Sequence, residues 1–172
     1  MTGYVYRDPA RLSRPAPAVA RAAGPLAPRA PVPLGLTRRQ HEILSHLVEG
    51  LSNEDIARRL FLSVDTVKTH LQHLRETLGA RDRCHAAAIA VRAGSVPLEQ
   101  VDPAGLGLRP LTEREKQVLQ TLADGCTNAE AGERLGLSPL TVKAHLARIG
   151  RVLGVGERTA MVVVALRAGL IR

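Results

Sequence analysis

The chain has 172 residues and a net formal charge of +8, from 24 Lys and Arg against 16 Asp and Glu. Its aromatic side chains are Phe61, Tyr4 and Tyr6, with no Trp, so a core must come from Leu, Val, Ile and Ala, which argues against a β-sandwich and for helices. The charge points to an acidic partner, nucleic acid or an anionic membrane surface, with plain solubility as the alternative.

In chain order, residues 1–35 read as a disordered tail. Seven prolines and five arginines stand there against one acid, Asp8, and such a stretch buries too little apolar surface to offset its ordering entropy. It is either a plain tail or a basic arm touching phosphates.

Two similar units follow, 36–96 and 111–172, joined by a linker at 97–110 that carries Pro97, Pro103 and Pro110. Sliding the sequence by 75 residues superposes Leu36-Thr37 on Leu111-Thr112, Gly50 on Gly125, and Thr66-Val67-Lys68 on Thr141-Val142-Lys143. Between 36–96 and 111–171 there are 23 identities in 61 gapless positions.

Each unit reads as four helices, giving an all-α fold of two tandem domains. The first helix opens at Thr37-x-x-Gln40 or Thr112-x-x-Glu115, the pattern of a capping box. Ile43, Leu44, Leu47 and Val48 recur at helical spacing up to Gly50. The second helix opens at Ser52-x-x-Asp55 or Thr127-x-x-Glu130 and runs to Leu60 or Leu135. Ser63 and Ser138 cap a third, which runs to Leu78 and Leu153 before a glycine. The fourth starts near Arg83 or Arg158 and ends at Gly94 or Gly169. A second and a longer, basic third helix joined by a short turn make a helix-turn-helix, whose longer helix fits the major groove of DNA.

Both units resemble the C-terminal DNA-binding domain of LuxR/FixJ-type (GerE-like) regulators. The first carries LTRRQ, GLSNEDIA, LFLSVDTVKTH and LGARDR; the second carries LTERE, GCTNAEAG, LGLSPLTVKAH, LGVGER and GLI. The resemblance implies a transcription regulator that binds double-stranded DNA. It also implies that Lys68, Thr69 and Gln72 of the first unit, and Lys143, Ala144 and Ala147 of the second, face the groove. Lys and Gln can pair with base edges whereas Ala can only touch a thymine methyl, so the first unit is expected to read sequence more sharply. Asn53, Thr66, Arg83, Asn128, Thr141 and Arg158 are candidates for phosphate or cap contacts. Val67 and Val142 stand among the candidate DNA contacts too, although they fit the core better. His70 and His145 fit a structural hydrogen bond better than a base contact.

Three departures from the family pattern carry expectations. Gln40 replaces Glu, which weakens one charged cap. Ala131-Gly132 replaces Ile56-Ala57, which suggests that the second unit is looser or packs differently. No receiver or ligand-binding domain reads ahead of the first unit, so a signal must come from elsewhere or be absent. Family members pair through the fourth helix, so the two units are expected to form a pseudo-dimer, or the chain a homodimer. The candidate seam is Ala87, Ala88 and Val91 against Val162, Val163 and Leu166. The rival to DNA binding is docking on RNA polymerase, a sigma factor or another regulator.

An enzyme is not expected: no phosphate loop, carboxylate pair or Cys/His dyad stands at usable spacing. No cofactor or metal is implied; His70 and His73 share a helix face but have no third ligand. Cys84 and Cys126 lie in separate units without a CxxC motif, which fits a reducing cytoplasm. No apolar run reaches the ~18 residues of a membrane span, and the N-terminus lacks a signal peptide's apolar stretch. The expected location is the cytoplasm, on the nucleoid.

Overall fold

The computed structural model describes residues 34–96 and 110–172. The expectations for most of the N-terminal tail and for the linker fall on 1–33 and 97–109, outside the described residues. The described residues form eight helices and no strand. In the first repeat these are α1 (Arg38–Val48), α2 (Asn53–Leu60), α3 (Val64–Leu78) and α4 (Arg83–Arg92). In the second they are α5 (Glu113–Ala123), α6 (Asn128–Leu135), α7 (Pro139–Leu153) and α8 (Arg158–Arg167).

Local chemistry sets the helix ends. Thr37 caps α1 by accepting from the Gln40 backbone N–H, and the Gln40 side chain accepts from the Thr37 N–H at 2.8 Å. The neutral amide thus completes the same box that Glu115 makes with Thr112, and what repeat 1 lacks is only the charge. Ser63 and Ser138 cap α3 and α7 by accepting from the N–H of Thr66 and Thr141. Gly79 and Gly154 end the same helices in the left-handed region, where the absence of Cβ removes the clash. Asp82 caps α4 by accepting from the His85 N–H at 2.8 Å, whereas Glu157 makes no such bond to α8.

Within each repeat three helices bury aliphatic side chains against one another. Leu44, Leu47 and Val48 of α1 pack with Leu74 of α3 and Ala86, Ala87 and Ala90 of α4. Ile56, Ala57 and Val67 form a smaller cluster with Ile43 under the α2–α3 turn. The second repeat repeats this with Val118, Leu119 and Leu122 around Ile149 and Val162.

The repeats are not separate beads. Among the described helices the most extensive contact is α4 against α8. Small side chains make it close: Ala86, Ala87, Ala88 and Ala90 on one side, Val162, Val163 and Ala165 on the other, all 2% exposed or less. The core clusters interpenetrate, since Cys84 and Ala88 belong to the second repeat's core and Val163 to the first's. Of the seam expected from sequence, Ala87, Ala88, Val162 and Val163 are buried, while Val91 and Leu166 are half-buried.

Polar contacts frame this seam. Arg158 Nη2 lies 3.1 Å from Asp82 Oδ2 and donates to the Cys126 carbonyl at 2.6 Å. Arg92 donates to the Ala123 carbonyl at 3.2 Å and to Asp124 Oδ1 at 2.8 Å, and it also reaches the Arg172 carbonyl. Arg81 pairs with Glu130. Gly125, at φ +83°, lies so close to His85 that a Cβ there would stand 2.6 Å from Nδ1. Cys84 and Cys126, placed in separate units by the sequence, are buried in one core cluster. Burial pushes the Cys84 thiol up to about 12, which makes it an unreactive packing group.

At Ala131-Gly132 the second repeat packs differently from the first. Both residues are buried, and a Cβ on Gly132 would stand 2.6 Å from the Leu137 carbonyl oxygen. Glycine there admits the Leu137 carbonyl oxygen, while the turn bond itself, from the Leu137 N–H to the Gly132 carbonyl at 2.8 Å, is also made by the Leu62 N–H to the Ala57 carbonyl at 2.9 Å.

Candidate nucleic-acid interface

Helices α3 and α7 are the longest among the described residues, fifteen residues each. Their buried sides are held by Val67 and Leu74 in one and by Val142, Ile149 and Leu153 in the other. What remains exposed sets their chemistry. On α3 the exposed positions include Lys68, Thr69 and Gln72; on α7 they include Lys143, Ala144 and Ala147. Val67 and Val142 are 0% exposed. The sequence offers them as candidate contacts that fit the core better, and as core residues they leave no surface for a base.

The exposed groups of α3 are already engaged with neighbours on the same helix. Lys68 Nζ lies 3.0 Å from Asp65 Oδ1, and Gln72 Nε2 donates to Glu76 Oε1 at 3.1 Å. Thr69 Oγ1 donates to the Asp65 carbonyl at 3.0 Å. Lys68 and Asp65 are 60% and 90% exposed, so their pairing is weak and readily exchanged.

The equivalent of Asp65 in α7 is Leu140, which is 76% exposed. Helix α7 therefore carries Lys143, Arg148 and Arg151 with no carboxylate of its own, whereas the two cations of α3 are balanced by Asp65 and Glu76. This asymmetry went unread in the sequence, although it follows from aligning Asp65 with Leu140.

The candidate phosphate contacts divide. Thr66 and Thr141 are half-buried, each with its Oγ1 2.8 Å from the capping Ser hydroxyl. Arg83 donates to Asn53 Oδ1 at 2.5 Å and to the Leu51 carbonyl, which ties α4 to the start of α2. Arg158 donates to the equivalent carbonyl, that of Cys126, but pairs with Asp82 in place of Asn128, leaving Asn128 Oδ1 buried without a hydrogen-bond partner. His145 Nδ1 is buried and unpartnered too, so the structural hydrogen bond expected there is not made at that atom.

The family profile described as bacterial regulatory proteins, luxR family (GerE), matches residues 34–90 and again 109–165. The chain belongs to this family. Among its relatives, the uncharacterized transcriptional regulatory protein YxjL of Bacillus subtilis is 45% identical over 60 residues, 35% of this chain and 28% of that protein. Transcriptional regulatory protein LnrK of the same organism is 43% identical over 61 residues, 36% of this chain and 28% of that one. The putative HTH-type transcriptional regulator Rv0890c of Mycobacterium tuberculosis is 45% identical over 60 residues, 35% of this chain but 7% of its own length. The chain thus spans little more than a quarter of these relatives at most, and each match is about as long as a single repeat. No solved structure gives a significant match. Among the described residues no helix is long and apolar enough to cross a membrane, and no group of His, Cys, Asp and Glu could hold a metal ion.

Proposed function

We propose that this chain is a DNA-binding transcription regulator whose two repeats act as one body, α3 and α7 entering the major groove at adjacent half-sites. The observation that carries the reading is the double family match, combined with exposed Lys68 and Lys143 at equivalent positions of the two longest helices. The α4–α8 seam supports the pseudo-dimer form of it. A surface already covered within the chain leaves less need for a second copy, and it lets two unlike recognition helices read an element that is not a palindrome.

The helices divide the work. Helix α3, with Lys68, Thr69, Gln72 and two carboxylates, suits base reading. Helix α7, with three cations and a small apolar stripe, suits phosphate attraction and sequence-tolerant anchoring. In-vitro selection of bound duplexes from random sequence tests this. One well-defined half-site beside a poorly defined one is the expected outcome, and recovery of unselected sequence overturns the reading.

A protein-docking role for the second repeat has one feature in its favour: Leu140, Ala144 and Ala147 form an exposed apolar stripe at helical spacing on α7. RNA polymerase, a sigma factor or another regulator is the kind of partner it would meet. Binding of the selected duplex undiminished by Lys143→Ala would favour this reading over anchoring.

A further inference from the structure

A cleft of about 200 Å³ opens in the first repeat between α3 and the starts of α2 and α4. Its floor is apolar, from Leu71 and Ala86 among others. Its polar lining is Asn53, Lys68, Arg75 and Arg83, and no acidic residue lines it. Three cations and an amide thus converge on a space too small for a drug-sized ligand but ample for a tetrahedral anion.

The donors are available. Asn53 spends its carbonyl oxygen on Arg83, which leaves its NH₂ free to donate. Arg83 Nε is buried with no hydrogen-bond partner among the described residues, as is its counterpart Arg158 Nε, so what sets the first repeat apart is the open cleft beside it. Lys68 is held only by its exposed pair with Asp65. Arg75 shares a face of α3 with Lys68, seven residues and so about two full turns away.

The second repeat has dismantled this arrangement. Gly150 replaces Arg75 and Met161 replaces Ala86. A Cβ on Gly150 would lie 2.8 Å from Met161 Cε, so the methionine lies over the equivalent ground. Arg158, the counterpart of Arg83, keeps the equivalent carbonyl contact, to Cys126, but pairs with Asp82 of the first repeat where Arg83 holds Asn53. Solubility alone does not account for a cationic cleft kept open in one copy and filled by an apolar side chain in the other.

We propose that the first repeat carries a phosphate-binding cleft formed by Asn53, Lys68, Arg75 and Arg83, which the second repeat lacks. A phosphate group has the charge and the acceptor oxygens for convergent guanidinium, ammonium and amide donors. Its source is either one backbone phosphate of bound DNA or free phosphate. In the first case Asn53, Arg75 and Arg83 hold the phosphate and fix the register of α3 on the duplex, and Lys68 is shared between that phosphate and the base edges. In the second, an anion in the cleft engages Lys68 and so competes with base reading. The DNA source rests on the function proposed above; the free-phosphate source does not.

The test uses the full chain and two variants. Arg75→Gln removes a rim charge from a half-buried position, and Ala86→Met reproduces the filling seen in the second repeat. Inorganic phosphate is titrated against chloride at matched ionic strength and followed by ¹⁵N chemical shifts. Separately, the selected duplex is scanned with single methylphosphonates, each of which neutralises one phosphate. If the cleft holds backbone phosphate, one position in the first half-site weakens wild-type binding about tenfold, the scale of a charged hydrogen bond, and costs both variants little further. If it holds free phosphate, Asn53 and its neighbours shift saturably in the wild type and not in Ala86→Met. No saturable shift, together with no methylphosphonate position coupled to Arg75, overturns the proposal. A chain that fails to bind DNA but still shows the phosphate shifts overturns only the DNA source.

Discussion

Ala88 and Val163 occupy equivalent positions in the two repeats, and each is buried in the core cluster of the other repeat. The fourth helices therefore exchange side chains across the seam as well as touching along it. The exchange is unequal, since the second repeat sends a valine and receives an alanine.

That exchange predicts a long-range effect. Val163→Asp puts a carboxylate among Leu44, Leu47 and Leu74 with no partner charge, and an unpaired buried charge costs roughly 3–5 kcal/mol. The first repeat should then unfold at lower denaturant although its own sequence is untouched. Urea unfolding followed by NMR signals of α1 and α3 reads this directly. Loss confined to second-repeat signals would show that the seam does not couple the two.

Gly132 offers a reversal of helix propensity. Glycine inside a helix is worse than alanine by about 1 kcal/mol, so Gly132→Ala ought to stabilise α6 on local grounds. The added Cβ would meet the Leu137 carbonyl at 2.6 Å, and displacing a backbone group is costlier, about 1–3 kcal/mol for forced overpacking. Net destabilisation is expected. The mirror substitution Ala57→Gly in the first repeat should lose about 1–2 kcal/mol, the propensity cost plus one buried methyl. Thermal melts of the two variants check both signs.

Phe61 ends α2 at φ 54°, the left-handed region, and its side chain is 96% exposed. The second repeat places Gly136 there at φ 63°. A non-glycine residue in this region costs roughly 1–2 kcal/mol, and an exposed ring gains little in return. Phe61→Gly should therefore raise the melting temperature. A fall would mean that the ring makes a stabilising contact in solution.

Much of this architecture lies open in the sequence because it is local. Thr37-x-x-Gln40, Ser63 before Thr66, and Gly79 after Leu78 each act within one helical turn, so residue type and spacing suffice to place the ends of α1 and α3. The small residues of α4 and α8 likewise mark a close contact. Less legible is what depends on residues distant in sequence. Arg83 and Arg158 are the same residue at the same position, yet one ties Asn53 to Leu51 and the other crosses to Asp82. Val67 lies in the Thr-Val-Lys run of a surface helix; its residue type favours the core, and the packing of Ile43 and Ile56 with it places it there.

Glu130 links the seam to pH. Its carboxylate accepts from the Thr127 N–H and pairs with Arg81 of the other repeat, and these contacts hold its pKa at about 2, below the usual carboxylate range. A carboxylate whose folded pKa is depressed contributes stability above its unfolded pKa and loses it as pH falls through the folded value. The contribution should be complete at neutral pH and disappear between about pH 4.5 and 2. Glu130→Gln should flatten the fall in melting temperature across that window. An unchanged acid limb would mean that the Thr127 and Arg81 contacts do not persist in solution.

The two lysines of the proposed recognition helices give the sharpest comparison. Lys68 stands beside Asp65, Thr69 and Gln72, a set able to present both donors and acceptors to base edges. Lys143 stands beside Leu140, Ala144 and Ala147 on a helix with no carboxylate, where its main asset is charge. Lys68→Ala should cost about 1–3 kcal/mol on the selected site and narrow the gap between that site and arbitrary DNA. Lys143→Ala should weaken both to a similar degree and lower the salt slope by about one. Mobility shifts on selected and scrambled duplexes at two salt concentrations separate the outcomes. If the two variants lose specificity equally, the asymmetry between Asp65 and Leu140 does not govern reading, and the repeats share the task.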